Sequence, residues 1–204
     1  MNEILSIFIF YFAVIDPIGS VPVFIAVTKG YTELEKRATA LKAVFVSFLV
    51  LIFFIVAGEI ILDAIGIPLP AFQIAGGIIL FMFAITMIFG DSKPESEIKS
   101  ITNTTETAIF PMAMPSIASP GAMLAVVLLT KNSEYSILEQ LQSSLIMASV
   151  LAIVLVLLLL STKVYKIIGS AGASVISRVM GLILTAVAAD NVIQGIKASF
   201  GLLP

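Results

Sequence analysis

Two aspartates stand apart from other charges in this chain of 204 residues, and each could act as a ligand or a titrating group. Asp16 opens the heptapeptide Asp-Pro-Ile-Gly-Ser-Val-Pro, which ends at Pro22. Asp190 lies in the run Ala-Ala-Asp-Asn-Val-Ile-Gln, which ends at Gln194. A carboxylate in an apolar stretch is protonated, bonded to backbone, or partnered by a cation or an amine. Each aspartate is therefore a candidate titrating group, a backbone cap, or a partner for a cation or an amine.

The residue types missing from the sequence exclude other kinds of chemistry. There is no cysteine and no histidine, so disulfides, thiol redox relays, thiolate or imidazole metal sites and histidine triads are ruled out. The net charge is −2 and the 11 Lys and Arg are spread along the chain, which argues against a nucleic-acid surface. We expect no metal site, no nucleic-acid partner and no cofactor beyond a coupling proton or sodium ion.

The elements that position these residues are membrane-spanning helices. The chain is 59% hydrophobic and 12% charged, with a mean hydropathy of +1.14, which is too apolar for a protein that faces water. Three stretches lack Asp, Glu, Lys and Arg altogether and exceed the roughly 20 residues that a membrane-crossing helix needs. We predict an all-α membrane protein with six spans, at 3–29, 40–63, 70–90, 108–130, 139–161 and 175–199.

The orientation of the chain follows from its positive charges. Two of them, Lys131 and Lys197, lie on one side of the predicted spans, and nine lie on the other. The nine are Lys29, Lys36, Arg37, Lys42, Lys93, Lys99, Lys163, Lys166 and Arg178. Lys and Arg accumulate in cytoplasmic loops. We therefore predict a multi-pass protein of the inner (cell) membrane with both termini outside the cytoplasm.

The sequence also indicates an internal duplication. A shift of 102 residues aligns Gly19 with Gly121 and the pair Thr28-Lys29 with Thr130-Lys131, and a shift of 104 aligns spans three and six. Because each unit has three spans, the second copy enters the membrane from the opposite side, a pattern typical of secondary transporters. We predict two inverted three-helix repeats in one membrane domain. The first covers 1–90, the second covers 108–204, and 91–107 is a cytoplasmic linker.

Prolines near the middle of spans one and four predict that both helices are broken there. Pro17 and Pro120 each remove a backbone donor and suit the first turn of the helix that follows, with Asp16 and Ser119 as caps. The helix N-termini at such breaks carry unpaired N–H groups and a positive dipole end, which favour an anionic group such as a carboxylate. The alternative interpretation is a pair of packing kinks.

These breaks lead to a specific binding hypothesis. A small zwitterion such as alanine, glycine or serine would place its carboxylate between Ile18-Gly19 and Gly121-Ala122, where the glycines allow close approach. Its ammonium group would meet Asp16 or Asp190, one of which would titrate as the coupling-ion site. We expect both acids to face the interior, with Gln194 on the face of Asp190 and Asn191 turned away. The candidate binding residues are Asp16, Pro17, Ile18, Gly19, Pro22, Ser119, Pro120, Gly121, Ala122, Asp190 and Gln194.

The motif from Asp16 to Pro22, the segment from Pro115 to Gly121, the length and the six spans together resemble the MarC family of integral inner-membrane proteins. The resemblance covers essentially the whole chain and implies a carrier, since some members are described as transporters of small neutral amino acids. The second motif of that family often reads Ala-Gly-Pro-Gly, whereas Ser119 replaces the first glycine here. The added hydroxyl could change the substrate preference.

Other functions remain open at this point. A membrane scaffold or regulator that moves no solute would share this composition. An intramembrane aspartyl protease would use two aspartates that share a proton, but Asp190 lacks the Gly-x-Gly-Asp context of such enzymes. A membrane electron carrier of the thiol type is excluded because the chain has no cysteine. We expect a protein that is not an enzyme, with a small-molecule substrate and membrane lipid as partners, and leave a homo-oligomer open.

Overall fold

The computed structural model describes residues 2–89, 104–132 and 134–202, and this part of the chain is helical with no strand. A Pro-rich segment, Ala108–Ile117, joins α5 to α6. The helices are α1 (Asn2–Ile15), α2 (Ser20–Val27), α3 (Glu33–Ala64), α4 (Leu69–Phe89), α5 (Thr104–Thr107), α6 (Pro120–Leu128), α7 (Ile137–Leu159) and α8 (Ser161–Ser199). Residues 91–103 of the predicted linker at 91–107 lie outside the described residues. The last four residues of the linker form α5.

Five helical stretches in the described residues are long and apolar enough to cross a membrane. One of them runs from Glu3 to Val27 and contains both α1 and α2. A bent pair, Thr104–Ile117 followed by Pro120–Leu128, makes a sixth candidate span with an angle of 58° between its halves. The number of spans therefore agrees with the predicted six when the bent pair is one span.

Two hydrogen-bonded caps set the starts of α3 and α7. At the first, Thr32 Oγ1 accepts the N–H of Glu35 at 3.3 Å, and the Glu35 carboxylate accepts the N–H of Thr32 at 2.8 Å. Ser136 and Glu139 form the same reciprocal pair at 3.4 and 2.7 Å. Such caps satisfy two N–H groups that the helix leaves unpaired. Helix α3 begins at Glu33, seven residues before the predicted span at 40–63.

The last helix is longer than predicted. We placed span six at 175–199, but α8 begins at Ser161, and only Leu160 separates it from the end of α7. Gly169 interrupts its helical geometry with a φ of 67°, a conformation that glycine adopts without a steric penalty. The first eight residues of α8 form a separate stretch that carries Lys163 and Lys166, and these charges indicated a loop in the sequence.

Among the described residues, helices α4 and α8 have the most extensive contact of any pair, and glycines allow their backbones to approach closely. A Cβ added at Gly77 would lie 3.1 Å from a carbonyl oxygen of α8. A Cβ added at Gly181 or Gly195 would lie 3.0 or 2.9 Å from a carbonyl oxygen of α4. Small residues let helix backbones pack closely in membranes. The glycines at 77, 181 and 195 therefore bring the backbones of α4 and α8 close together.

The core of the protein surrounds α6 and the turn between α1 and α2. Every residue of α6 from Leu124 to Leu128 is buried. The largest fully buried side chains include Tyr11, Ile15, Phe24, Leu51, Leu80, Met112, Ile117, Leu124, Met147, Leu158 and Leu184. The outer faces of α3 and α7 instead expose large apolar side chains such as Phe53 and Leu145. An apolar exterior of this size is what a helix presents to lipid.

Candidate functional site

Asp16 interrupts the chain between α1 and α2 and caps the turn that follows it. Its backbone has a φ of 49°, in the left-handed region that Asp enters more easily than most residues. Its carboxylate accepts the N–H of Gly19 at 3.0 Å, and its carbonyl accepts the Ser20 hydroxyl at 3.1 Å. The residue is only 5% exposed. Asp16 was predicted to cap a helix beginning at Pro17, but α2 begins at Ser20, and its N-cap residue, Gly19, forms no side-chain cap bond. Asp16 instead caps the turn at residues 17–19, and its carboxylate is held inside the protein.

Ser119 is the N-cap residue of α6, with Pro120 in the first turn, as predicted. The Ser119 hydroxyl oxygen accepts the N–H of Ala122 at 3.1 Å. The same hydroxyl donates to the carbonyl of Val14 at 3.3 Å, and Ser119 is fully buried. Val14 lies in the last turn of α1, whose carbonyls have no partner further along the helix. A single side chain thus connects the start of α6 to the end of α1, two residues from Asp16.

The Pro-rich segment leads into Ser119 through two irregular steps. Phe110 and Met114 have extended backbones, as expected for residues that precede prolines, and the peptide bonds after them are cis. The N–H of Ala118 reaches back five residues to the carbonyl of Ala113 at 2.9 Å. Ser47 of α3 donates a weaker hydrogen bond to the same carbonyl at 3.4 Å, so α3 supports the segment from outside.

The two glycines of the predicted site are surrounded by protein atoms. A Cβ at Gly19 would collide with the Asp16 carboxylate, and a Cβ at Gly121 would collide with the side chains of Leu80 and Val14. We predicted that these glycines admit a ligand close to the backbone. In this conformation the space beside Gly121 is filled by apolar side chains, so its first role is to let α6 approach α1 and α4.

Two backbone donors stay unused where the chain is interrupted. The N–H of Gly19 bonds to Asp16, the N–H of Ser20 bonds to the Asp16 carbonyl, and the N–H of Ala122 bonds to Ser119. Within the described residues, no hydrogen bond uses the N–H of Ile18 or Gly121. Gly121 is buried and Ile18 is half-buried, and a buried backbone N–H without a partner is rare in native proteins. These two groups are the donors that the arrangement offers to an anionic ligand.

The other predicted residues of the two motifs are less enclosed. Pro17 and Ala122 are buried, Ile18 and Pro22 are half-buried, and Pro120 is exposed. The site is therefore built mainly from the capping residues and the backbone beside them, and the prolines shape the turns around it.

The predicted orientation of α8 is wrong. Asn191 is the buried residue, only 9% exposed, whereas Asp190 is exposed and Gln194 is half-buried. The side-chain oxygen of Asn191 accepts a hydrogen bond from the side-chain amide of Gln73 in α4 at 3.4 Å. The side-chain nitrogen of Asn191 donates to the backbone carbonyl of Val187 at 3.1 Å. The glycine face of α8 turns toward α4, and Asp190 is about 100° away from Asn191 around the helix. In the single chain, Asp190 faces outward and does not join Asp16.

Three polar contacts between elements, two of them buried and one partly buried, were not predicted from the sequence. The hydroxyls of Tyr11 and Ser143 lie 2.9 Å apart and join α1 to α7, in addition to the contacts of Ser47 with Ala113 and of Gln73 with Asn191. The signal in each case was a polar residue within an apolar span, since such groups need a partner when buried. Glu59, at the end of α3, accepts the N–H of Asn132 at 2.7 Å and so fixes a loop.

The residues that the structure describes hold no group of three or more His, Cys, Asp or Glu side chains arranged to bind a metal ion. Asp16 is the one acidic side chain at the two turns. The site combines this carboxylate with hydroxyl and backbone groups, so it offers hydrogen bonds and one negative charge.

Comparison with known proteins places the chain in a family. The model of a family described as MarC family integral membrane protein matches residues 1–200. This chain belongs to the MarC family. A UPF0056 membrane protein of Aquifex aeolicus is 34% identical over 93% of this chain and 90% of its own length. UPF0056 membrane protein YvbG of Bacillus subtilis is 33% identical over 98% of this chain and 97% of its own length.

The family membership establishes an integral membrane protein with several apolar helices. The printed names of these relatives describe membrane proteins and state no substrate. No solved structure matches this MarC family member. The features that bear on its function are the α1–α2 turn at Asp16 and the N-terminus of α6 at Ser119.

Proposed function

We propose that this protein is a secondary carrier of small neutral amino acids, or of a similar small polar solute, across the inner membrane. The observation that carries the proposal is the hydrogen bond from Ser119 to Val14, which joins the start of α6 to the end of α1 beside the buried Asp16. Interrupted helices that meet inside a membrane protein are where carriers bind small solutes. The substrate would lie between the α1–α2 turn and the N-terminus of α6.

An inverted repeat would place the two interruptions at equivalent positions. The caps of α3 and α7 support it, since Thr32 and Glu35 recur as Ser136 and Glu139, each 104 residues later. The ends of α2 and α6 also match, because Thr28 and Thr130 each donate a hydrogen bond of 2.6 Å to the carbonyl four residues before. These matches extend the alignment of Gly19 with Gly121 that the sequence indicates.

The contacts between helices also support an inverted repeat. Helix α1 packs on α7, and the Pro-rich segment packs on α3. Helix α2 packs on α8, and α6 packs on α4. If the first three spans are exchanged with the last three, the α1–α7 contact corresponds to the contact of the Pro-rich segment with α3. The α2–α8 contact then corresponds to the contact of α6 with α4. We infer two three-span units of opposite topology, 1–90 and 108–204, with α1–α2 and the Pro-rich segment with α6 as their broken first spans.

The chemistry of the site suits a zwitterion. The unused N–H groups of Ile18 and Gly121 are suitable donors for a carboxylate, and a nearby helix N-terminus favours negative charge. The Asp16 carboxylate would accept the ammonium group. A zwitterion carries no net charge, so a site with one carboxylate and oriented N–H groups can replace the water that both ends lose.

Asp16 is also the residue that we propose to respond to the coupling ion. It is the buried carboxylate of the site, and a change in its protonation or its partner cation would alter the binding of an ammonium group. Asp190 is left out of the proposed site because it faces away from α4 on the exposed side of α8. The same placement does not favour an aspartyl protease, whose two carboxylates must share a proton.

The test is solute uptake by purified protein in liposomes. Labelled alanine, glycine and serine would be offered with an imposed proton gradient, an imposed sodium gradient, or neither, beside a charged amino acid as a comparison. We expect uptake of at least one small neutral amino acid above that of protein-free liposomes, with stimulation by one of the two gradients. Equal uptake by liposomes with and without folded protein, under every gradient, would contradict the carrier proposal. It would favour a membrane scaffold or regulator that moves no solute.

A further inference from the structure

A pocket lies away from the α1–α2 turn and the start of α6. A pocket of about 360 Å3 opens between the loop that follows α2 and the first turns of α8. The polar residues that line it include Lys29, Lys36, Ser161, Thr162, Tyr165 and Lys166. The volume of the pocket is many times the volume that a single water molecule needs, so a chemical group of several heavy atoms fits in it.

The charge of this pocket is uniformly positive. Three of its lining residues are lysines, and none is an acid. Lys36 is paired with the exposed Glu33 at 2.9 Å. Lys29 and Lys166 form no ion pair within the described part of the chain. Two ammonium groups are thus free to bind an anion, and the mutual repulsion of the lysines favours one.

Ser161 and Thr162 add two hydroxyl groups to the residues that line the pocket. Thr28 also lines it, but its hydroxyl donates to the carbonyl of Phe24 at 2.6 Å. A serine or threonine hydroxyl can rotate to donate a hydrogen bond to an anion that enters such a pocket. The pocket therefore combines ammonium groups with hydroxyl donors.

We propose that this pocket binds a phosphate-type oxyanion, supplied either by the head group of an anionic phospholipid or by free phosphate. Lys29 and Lys166 would neutralise its charge, while Ser161 and Thr162 would donate hydrogen bonds to its oxygens. The pocket lies where α2 and α7 end and α3 and α8 begin, which is the level of the lipid head groups. Basic pockets between helix ends on the cytoplasmic side of a membrane bind anionic head groups.

The pocket is separate from the proposed substrate site. Thr28 lies 12 residues after Asp16, about 18 Å along a helix at 1.5 Å per residue. A neutral amino acid would also leave the positive charge of the pocket unbalanced. The inference does not depend on carrier activity, since it is tested by binding alone.

The experiment compares the full-length protein with two double variants of equal charge. Lys29→Gln with Lys166→Gln removes the two unpaired pocket lysines. The control, Arg37→Gln with Lys163→Gln, removes two exposed positive charges from the same side, and neither residue lines the pocket. Phosphatidylglycerol and phosphatidylcholine are added to protein in neutral detergent and retained lipid is counted by native mass spectrometry. Thermal unfolding is measured with inorganic phosphate or chloride.

We expect the wild type and the control to retain phosphatidylglycerol over phosphatidylcholine, or to be stabilised by phosphate over chloride. The pocket variant should bind the same anion on the order of thirtyfold more weakly. An effect of the lipid alone identifies the head group as the source, and an effect of phosphate alone identifies the free ion. Equal binding by the pocket variant and the control, or no preference by the wild type for either anion, would overturn the proposal.

Ser161→Ala provides a variant that leaves every charge in place. We expect it to bind the anion several-fold more weakly than the wild type, since it removes one hydrogen bond to a charged group. Ser149→Ala makes the same chemical change on the exposed face of α7, away from the pocket, and should bind the anion as the wild type does. If Ser161→Ala binds as tightly as wild type while the lysine variant fails, surface charge alone attracts the anion and the assigned pocket is wrong.

Discussion

Asp16 has a structural role and a chemical role that a single substitution can separate. As a cap, it accepts the N–H of Gly19. As a charge, it is the buried carboxylate at the meeting point of α1, α2 and α6. Asparagine caps a helix about as well as aspartate but carries no charge. The two roles therefore predict different outcomes for stability and for transport.

We expect Asp16→Asn to fold with nearly unchanged thermal stability and to lose substrate uptake by about tenfold or more, because a hydrogen bond to a charged group contributes about 1.5–3 kcal/mol. Asp63→Asn makes the same chemical change at the exposed end of α3 and should transport normally. Uptake and unfolding would be measured on the same preparations. Undiminished uptake by Asp16→Asn would remove the carboxylate from the site.

Ser119 tests the connection between the two turns. Ser119→Ala removes both its cap of α6 and its bond to Val14. Ser136→Ala removes a cap alone, at the exposed start of α7. We expect about 1 kcal/mol of lost stability for the second variant, and a larger loss for the first because the Val14 carbonyl is left unpaired inside the protein. Equal losses in thermal unfolding would show that the bond to Val14 contributes nothing.

Residue types predicted the caps but not the orientation of Asp190. Asp16 and Ser119 cap adjacent turns through rules that act over three or four residues. The face of α8 that is buried depends instead on which surface of α4 it meets. The carboxylate of Asp190 suggested an inward face, yet the glycines at 181 and 195 fix the contact with α4 and bring Asn191 inward.

At the scale of helices, the α4–α8 pair depends on the absence of side chains at its contact. Gly181→Leu would place atoms against the carbonyl of Ala84, 3.0 Å from the first added carbon. We expect a loss of about 1–3 kcal/mol, as for other overpacked interiors, seen as a lower unfolding temperature in detergent. Ala186→Leu adds the same bulk on the exposed face of α8 and should be tolerated. Similar unfolding temperatures for the two variants would contradict this packing.

The helices themselves were more predictable than their ends. Apolar length located each predicted span, because a helix must cross about 30 Å of hydrocarbon. The extra turns of α3 and α8 were missed because Arg37 and Lys163 lie in helices that extend past the apolar region. The irregular backbone of the Pro-rich segment was also not predicted in detail, since several local geometries are compatible with the prolines.

At the scale of the whole molecule, the distribution of charge makes a direct prediction about orientation. By the predicted spans, nine of the 11 positive residues fall on one side of the membrane and both termini on the other, so we predict that both termini lie outside the cytoplasm. A reporter that functions only outside the cytoplasm should be active when fused after Pro204, and one that functions only inside should be inactive. The reverse result would invert the chain and place the lysine pocket on the outer surface.

The exchange of helix contacts between the two halves has a functional meaning for the whole protein. Two units of opposite topology can rock against each other and expose one central site to either side in turn. Such a carrier exchanges solute across the membrane even without an ion gradient. A scaffold built from the same helices would bind partners and move nothing.

Counterflow of amino acid in liposomes tests this distinction most directly. Liposomes with purified protein are loaded with unlabelled alanine and diluted into labelled alanine, with no gradient of protons or sodium. We predict a transient accumulation of label that protein-free liposomes lack. Glycine and serine, loaded in the same way, extend the test to the proposed substrate class. No accumulation of any of the three by correctly folded protein would contradict the proposal that this chain carries small neutral amino acids.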